Sequence, residues 1–157
     1  METLAPAFVY RHTKVRIATE HHTEFIDLTQ SLQEFLGDSG VMTGLLNVQS
    51  LHTTAAIVVN ESEPLLLEDF DGLLYKIAPD TLPYLHDDET IRTVNLNPGE
   101  RPNGSSHCKA LVLGTSVCLN VVDGRLQLGR WQRVFLVELD GPRTRDISVL
   151  LMGEAAS

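Results

Sequence analysis

Hydrophobic and polar residues alternate along much of the chain, which predicts a protein built mainly from β-strands. Between Phe8 and Ala18, apolar and β-branched residues recur at every second position, as expected of a strand with one buried face. The dipeptide Asp123-Gly124 separates two further apolar runs and predicts a hairpin turn. We predict about seven or eight strands, at residues 8–18, 24–28, two within 41–60 around a polar interruption at 49–54, 117–122, 126 onward, 131–139 and 146–152.

Three segments carry apolar residues three and four positions apart instead, which is the spacing of an amphipathic helix. The predicted helices cover residues 30–36, 64–78 and 104–113, with a polar loop predicted at 86–101. Thr29 is expected to cap the first helix, Pro64 to open the second, and Asn103 is a candidate cap for the third. Because strands and helices do not alternate regularly, we expect an α+β fold with a mainly antiparallel, β-sandwich-like core and two or three short helices.

The length and composition of the chain fit one globular domain. It has 157 residues, of which 43% are hydrophobic and 21% charged, close to ordinary globular values. We predict a single domain over residues 1–157, with loose ends at 1–6 and 154–157. The 12 Lys and Arg residues against 21 Asp and Glu give a net charge of -9. This balance argues against a nucleic-acid partner, which favours a basic face.

Two further features bear on the compartment. Cys108 and Cys118 are ten positions apart and do not form the pattern of a disulfide framework, which favours a reducing compartment. No apolar run approaches the ~20 residues of a membrane span, and no signal-peptide pattern is present. We therefore expect a cytoplasmic protein that binds neither a membrane nor nucleic acid.

His52 is the strongest single candidate for chemistry. It interrupts an apolar region and is followed by two hydroxyl-bearing residues, Thr53 and Thr54. An imidazole beside hydroxyl groups and backbone N–H groups can hold a phosphate or orient a metal-bound water. The alternative is a core histidine that is hydrogen-bonded to a carbonyl group.

Three acidic or amide residues follow His52 in the sequence. Asn60 and Glu61 end the next predicted strand, where a carboxylate can face a cleft or can simply mark the turn into Pro64. Asp69 has the spacing of the apolar side of the second helix, and a carboxylate buried there needs a partner or a metal. The alternative for Asp69 is a solvated helix face.

The third predicted helix carries another pair of polar residues. Asn103 and His107 are four positions apart, so on a helix they share one face and can approach a single ligand. Arg101 is close in sequence and can bind an anion through two N–H groups. The alternative is that Asn103 caps the helix and His107 lies on the surface.

Several blocks of the sequence, taken in order, resemble one known family. The blocks are LHTTAA at 51–56, NE at 60–61, N-x-x-x-H at 103–107, GTS at 114–116, GRLQLGRWQ at 124–132 and DGPRTR at 140–145. They are similar to the signatures of the YjbQ-like family, also called the secondary thiamine-phosphate synthase family. The similarity extends from about residue 10 to 153, so the chain is identified as a member over nearly its whole length.

The resemblance implies a compact fold that assembles as a homotrimer. It also implies a pocket of histidine-containing blocks that binds metal, phosphate or sulfate. The implied activity is a weak thiamine-phosphate synthase reaction, which joins a pyrimidine diphosphate to a thiazole phosphate and releases pyrophosphate. One alternative is a non-catalytic trimeric module that binds a phosphorylated metabolite or a metal. Another is an interaction protein whose pocket is a relic.

Residue roles follow by matching the family blocks to this sequence. The resemblance implies catalytic roles for His52, Asp69 and Glu61, substrate or phosphate binding by Thr53, Thr54, Asn60 and Asn103, and metal binding by His52, His86 and His107. The implied cofactor is a divalent metal, either Zn²⁺, which suits three histidines, or Mg²⁺, which suits a diphosphate. Gly104 departs from the family, which often has alanine there, and should loosen the helix start by about 1 kcal/mol.

Overall fold

The computed structural model describes residues 7–156, and this part of the chain forms eight strands and three α-helices. The strands are β1 (Phe8–Ala18), β2 (Glu24–Asp27), β3 (Val41–Ser50), β4 (Ala55–Glu61), β5 (Ser116–Val122), β6 (Arg125–Leu126), β7 (Gln132–Glu138) and β8 (Thr144–Ala155). The helices are α1 (Thr29–Gly37), α2 (Pro64–Ile77) and α3 (Gly104–Leu113), with a single 3-10 turn at Leu85–Asp87.

The strands form two antiparallel sheets. The larger sheet has the order β1-β8-β3-β5-β6, and the smaller one has the order β2-β7-β4. Each strand pair is antiparallel. The predicted α+β fold with a mainly antiparallel core is therefore confirmed.

The main hydrophobic core lies where the inner faces of the strands meet α1. Its fully buried members include Leu46 of β3, Ile57 of β4, Leu136 of β7, Leu151 of β8 and Leu36 of α1. Burial alternates residue by residue along β8, as the period of two in its sequence predicts. A second, smaller core packs α2 and α3 against the other face of β4 and β7. The central strand β7 is accordingly buried on both faces from Val134 onward.

The start of α1 differs from the prediction. Thr29 is the first helical residue rather than the cap, and Leu28 occupies the cap position without a side-chain hydrogen bond. The Thr29 hydroxyl instead accepts a hydrogen bond of 2.8 Å from the backbone N–H of Val134 in β7. The polar side chain therefore ties the helix to the sheet. By contrast, Pro64 opens α2 as predicted, and the Glu63 side chain caps that helix.

Residues 154 and 155 belong to a strand, whereas the sequence predicted a loose end there. Strand β8 continues to Ala155, and Glu154 pairs with Phe8 on one side and Thr43 on the other, so a loose end beginning at 154 is wrong. The predicted loose residues 1–6 and 157 lie outside the described residues. Within residues 7–156, no helix combines the length and apolar character needed to cross a membrane.

Candidate functional site

A cleft of about 420 Å³ lies between the turn after β3, the 3-10 turn and the first turns of α3. It brings together six of the residues that the sequence nominated: His52, Thr53, Thr54, His86, Asn103 and His107. Three separate segments of the chain contribute these side chains. The cleft is therefore a product of the tertiary fold rather than of any local motif.

His52 is held in one orientation by the backbone of β8. Its Nε2 atom is 2.8 Å from the backbone nitrogen of Asp146. A backbone N–H can only donate, so Nε2 is the acceptor and the proton of the neutral ring is on Nδ1. Burial, and then the positive charge of Arg145, lower the pKa of His52 below its ordinary value. His52 is thus a neutral ring whose Nδ1–H has no partner among the described residues.

A buried ion pair supports the same side of the cleft. Glu138 and Arg145 are 0% and 2% exposed, and two hydrogen bonds join them, one of 2.6 Å from Nε and one from Nη2. Arg145 also donates to the carbonyl and hydroxyl oxygens of Thr54, at 3.2 and 3.0 Å. Burial raises the pKa of Glu138, but hydrogen bonds from Arg145 and from the backbone bring it below its usual value. The carboxylate therefore stays charged and fixes the loop that carries Thr54.

Asp140 organises a second group of polar side chains. Its Oδ2 atom accepts hydrogen bonds from Arg143 Nη2 at 2.6 Å and from Asn103 Nδ2 at 3.1 Å. Arg101 donates to its backbone carbonyl at 3.0 Å. Asn103 was expected to cap α3, but its side chain makes no cap hydrogen bond. It is directed to Asp140 and becomes part of the cleft.

Asp87 supplies the missing cap of α3 from another part of the chain. Its Oδ1 accepts hydrogen bonds of 2.9 Å from the backbone N–H groups of both Asn103 and Gly104. Gly104 is required here, since an added Cβ would lie 2.5 Å from the Cβ of Tyr84. The departure from the family pattern therefore permits close packing, whereas the sequence predicted only a loosened helix. This contact holds the 3-10 turn, and with it His86, against α3.

His86 and His107 consequently lie ring against ring. Their centroids are 4.5 Å apart with the planes at 63°, an edge-to-face arrangement. Burial, and then the neighbouring His86, lower the pKa of His107. The Nε2 atom of His86 is buried without a hydrogen-bond partner among the described residues, and the same is true of Oδ1 of Asn103. Two buried polar atoms at the cleft are therefore left for a ligand or a solvent molecule.

The arrangement does not fit a metal held by the three histidines. Across residues 7–156, no three His, Cys, Asp or Glu side chains are grouped so that they could hold a metal ion. His52 also uses Nε2 to accept from the Asp146 backbone. The predicted Zn²⁺ or Mg²⁺ therefore stays a prediction that this arrangement of side chains does not favour.

Three residues with predicted site roles lie outside this cleft. Asn60 and Glu61 end β4 and line a separate pocket with Arg130 and Trp131. Six residues of extended chain place Glu61 roughly 20 Å from the start of β4 beside Thr54. Asp69 is exposed, so its predicted position on the apolar side of α2 is wrong. The packed side of α2 includes Leu67 and Leu74, and the ring of Phe70 lies against Phe25 of β2.

Sequence reasoning missed several residues that line the cleft. Arg143 and Arg145 contact carboxylates, and both line the cleft. Both arginines belong to the DGPRTR block at 140–145, which is the sequence feature that could have identified them. Arg92 and Glu100, which form a 2.9 Å ion pair at the cleft, lie in the polar loop and had no recognisable signal. The side chains that line the cleft thus include three arginines and two carboxylates, in a chain of net charge -9.

Comparison with known proteins decides the family. The family model described as "UPF0047 protein YjbQ-like" matches residues 13–154. The chain belongs to the YjbQ-like family, UPF0047. A UPF0047 protein of Methanothermobacter thermautotrophicus is 37% identical over 138 residues, covering 88% of this chain and 89% of that protein. The UPF0047 protein YugU of Bacillus subtilis is 31% identical over 140 residues, covering 88% and 97% of the two chains.

Solved structures of the family share the fold. A YbjQ-like protein of unknown function from Sulfolobus solfataricus P2 superposes with a TM-score of 0.83 at 31% identity, covering 94% of this chain and 100% of that one. A hypothetical protein from Aeropyrum pernix K1 gives a TM-score of 0.80 at 35% identity, covering 92% and 99%. The family membership and the fold therefore agree.

Proposed function

We propose that the cleft binds a small phosphorylated metabolite. The observation that carries this proposal is the fixed tautomer of His52, because the Asp146 backbone occupies Nε2 and leaves Nδ1–H as a donor. Neutral N–H donors with a fixed direction are well suited to phosphate oxygens. Thr53 adds a hydroxyl group on the same cleft.

The charges around the cleft support the same ligand class. Arg143 and Arg145 line the cleft, and each is held by a carboxylate, so the guanidinium groups are positioned before any ligand arrives. Arg92 is likewise paired with Glu100, so the charges of all three lining arginines are matched by carboxylates and the cleft carries no excess of negative charge, in a chain of net charge -9. A site without excess negative charge can admit an anion even where the net charge of the protein is negative.

The test is calorimetric titration of the purified protein with inorganic phosphate, ethyl phosphate and pyrophosphate. We expect at least one of these anions to bind, and His52→Ala to weaken its binding by about tenfold, as loss of one hydrogen bond to a charged group predicts. His12→Ala is the matched control, since His12 is exposed on β1 and contacts Ser148 instead. Equal affinity in the wild type and in His52→Ala would remove His52 from the site. Absence of binding by all three anions would refute the proposal.

The narrower proposal is thiamine-phosphate synthase activity, which the family resemblance implied. The donors of the cleft suit a departing pyrophosphate, whose negative charge they would stabilise. A pyrophosphate-release assay with the pyrimidine diphosphate and the thiazole phosphate tests it, with His52→Ala as the comparison. Absent release would leave binding without turnover, the non-catalytic alternative, whereas equal release by both proteins would remove His52 from the reaction.

We also propose the homotrimer that the resemblance implied. Leu65 and Leu73 of α2 are 67% and 54% exposed, and Asp69 lies between them on the same side of the helix. Large apolar side chains that are exposed close together are typical of a surface that another chain covers. Light scattering of the wild type and of Leu73→Glu tests the assembly, and a monomeric wild type would refute it.

A further inference from the structure

The amide nitrogen of the Asn103 side chain has a hydrogen-bond partner, but its amide oxygen has none among the described residues. Asn103 is 4% exposed, and its Nδ2 donates to Oδ2 of Asp140 at 3.1 Å. The same carboxylate oxygen of Asp140 accepts from Arg143. Exchanging the amide nitrogen and oxygen of Asn103 would place two acceptors against each other, so the orientation of the amide is fixed. Oδ1 of Asn103 must therefore point away from Asp140. It is buried at the cleft and has no hydrogen-bond partner among the described residues.

Three donors close to Asn103 in the chain are already committed. The N–H groups of Asn103 and Gly104 both donate to Asp87. The hydroxyl of Ser106 donates to the Leu139 carbonyl at 2.5 Å. A buried acceptor without a donor is unfavourable, and native proteins rarely retain one without a reason. Because Asn103 lines the cleft, a molecule bound there can provide the donor.

We propose that the ligand of the cleft carries a hydroxyl or N–H group in addition to its phosphate, and that Asn103 Oδ1 accepts a hydrogen bond from that group. This inference rests on the proposed function, and it narrows the ligand to hydroxylated or amino phosphate esters. His52 provides a donor for the phosphate oxygens, whereas Asn103 provides an acceptor. An anion that carries no donor satisfies only the first of these two groups.

The experiment compares matched phosphate esters on the wild-type protein by calorimetry. The probes are ethyl, propyl and butyl phosphate, each paired with the ester that carries a terminal hydroxyl or amino group on the same carbon chain. We expect at least one donor-bearing ester to bind roughly 5- to 30-fold more tightly than its alkyl partner, the range expected for satisfying a buried acceptor. In Asn103→Leu the same ratio should fall to about one, whatever the absolute affinities of the two esters.

The outcomes separate this inference from the proposed function. If every pair binds with equal affinity, a solvent molecule satisfies Asn103 Oδ1, and the inference fails while phosphate binding stands. If the preference survives in Asn103→Leu, another group accepts the hydrogen bond and the inference again fails. If no ester binds, both proposals fail together. Should Asn103→Leu not fold, the wild-type ratios still test the inference, because equal affinity within every pair refutes it.

Discussion

Replacing Arg145 with methionine should destabilise the protein strongly and in a pH-dependent manner. The substitution keeps most of the side-chain volume but leaves Glu138, which is 0% exposed, without its charged partner. Glu138 would retain three donors, namely the Thr19 hydroxyl at 3.0 Å and the backbone N–H groups of Leu139 and Asp140 at 2.9 and 2.8 Å. Removal of one partner of a buried pair costs about 3–5 kcal/mol, and the retained hydrogen bonds place the expected loss near the lower end, about 3 kcal/mol.

Urea unfolding at several pH values measures this loss. In the wild type, the pKa of Glu138 is lowered, so its contribution to stability is present above the carboxyl's ordinary pKa and is lost as the pH falls. In Arg145→Met, burial is no longer opposed by the guanidinium, so the pKa of Glu138 should rise and the carboxyl should prefer its neutral form. The difference between the two proteins should therefore be largest near neutral pH and should shrink in acid.

A double variant tests whether the loss of stability comes from the buried charge of Glu138. Adding Glu138→Gln to Arg145→Met removes the buried charge but keeps an oxygen that accepts from the backbone N–H groups of Leu139 and Asp140. We expect the double variant to be more stable than Arg145→Met by about 1–2 kcal/mol. A single variant that loses less than about 1 kcal/mol, or a loss that does not change with pH, would show that the pair is not a buried charge pair in solution.

Three other changes have outcomes that the structure specifies. Gly104→Ala should destabilise by about 1–3 kcal/mol, because the new Cβ would lie 2.5 Å from that of Tyr84; an unchanged Tm would contradict the packing. Lowering the pH from about 7.5 to 5.5 should destabilise the protein, because burial lowers the pKa values of His52 and His107 and the unfolded chain then binds protons more readily. Urea unfolding at both pH values checks the sign, and stability that increases in acid would refute it. Asp69→Ala should leave phosphate-ester affinity unchanged in calorimetry, since Asp69 is exposed outside the cleft; a clear loss would indicate that it reaches a neighbouring subunit's site.

The sequence predicted the strands well because alternation is a local signal that the sheet preserves. The helix surface was predicted less well. The spacing of apolar residues along α2 placed Asp69 on the buried side, but the helix packs through Leu67, Phe70 and Leu74. Three leucines precede Glu68 and two more follow Gly72, so the pattern fits more than one face, and a rotation by one residue moves a side chain about 100° around the helix.

The contacts that build the cleft could not be predicted, because they join distant parts of the sequence. His52 is separated by 94 positions from Asp146, whose backbone N–H sets its tautomer. Asp87 caps a helix that begins 17 residues later. Family resemblance selected the three histidines, but the arginine and carboxylate partners become recognisable only when the chain is folded.

The bond between His52 and the Asp146 backbone restricts which residue can occupy position 52. Lysine and arginine would bring a permanent positive charge to a phosphate, but neither has a lone pair with which to accept from the strand. A carboxylate could accept, but it would repel the anion. A neutral imidazole meets both requirements of the proposed site, because Nε2 accepts from the Asp146 backbone and Nδ1–H remains as a donor for a phosphate oxygen. Lysine or arginine at position 52 would therefore remove the hydrogen bond that joins this side of the cleft to β8.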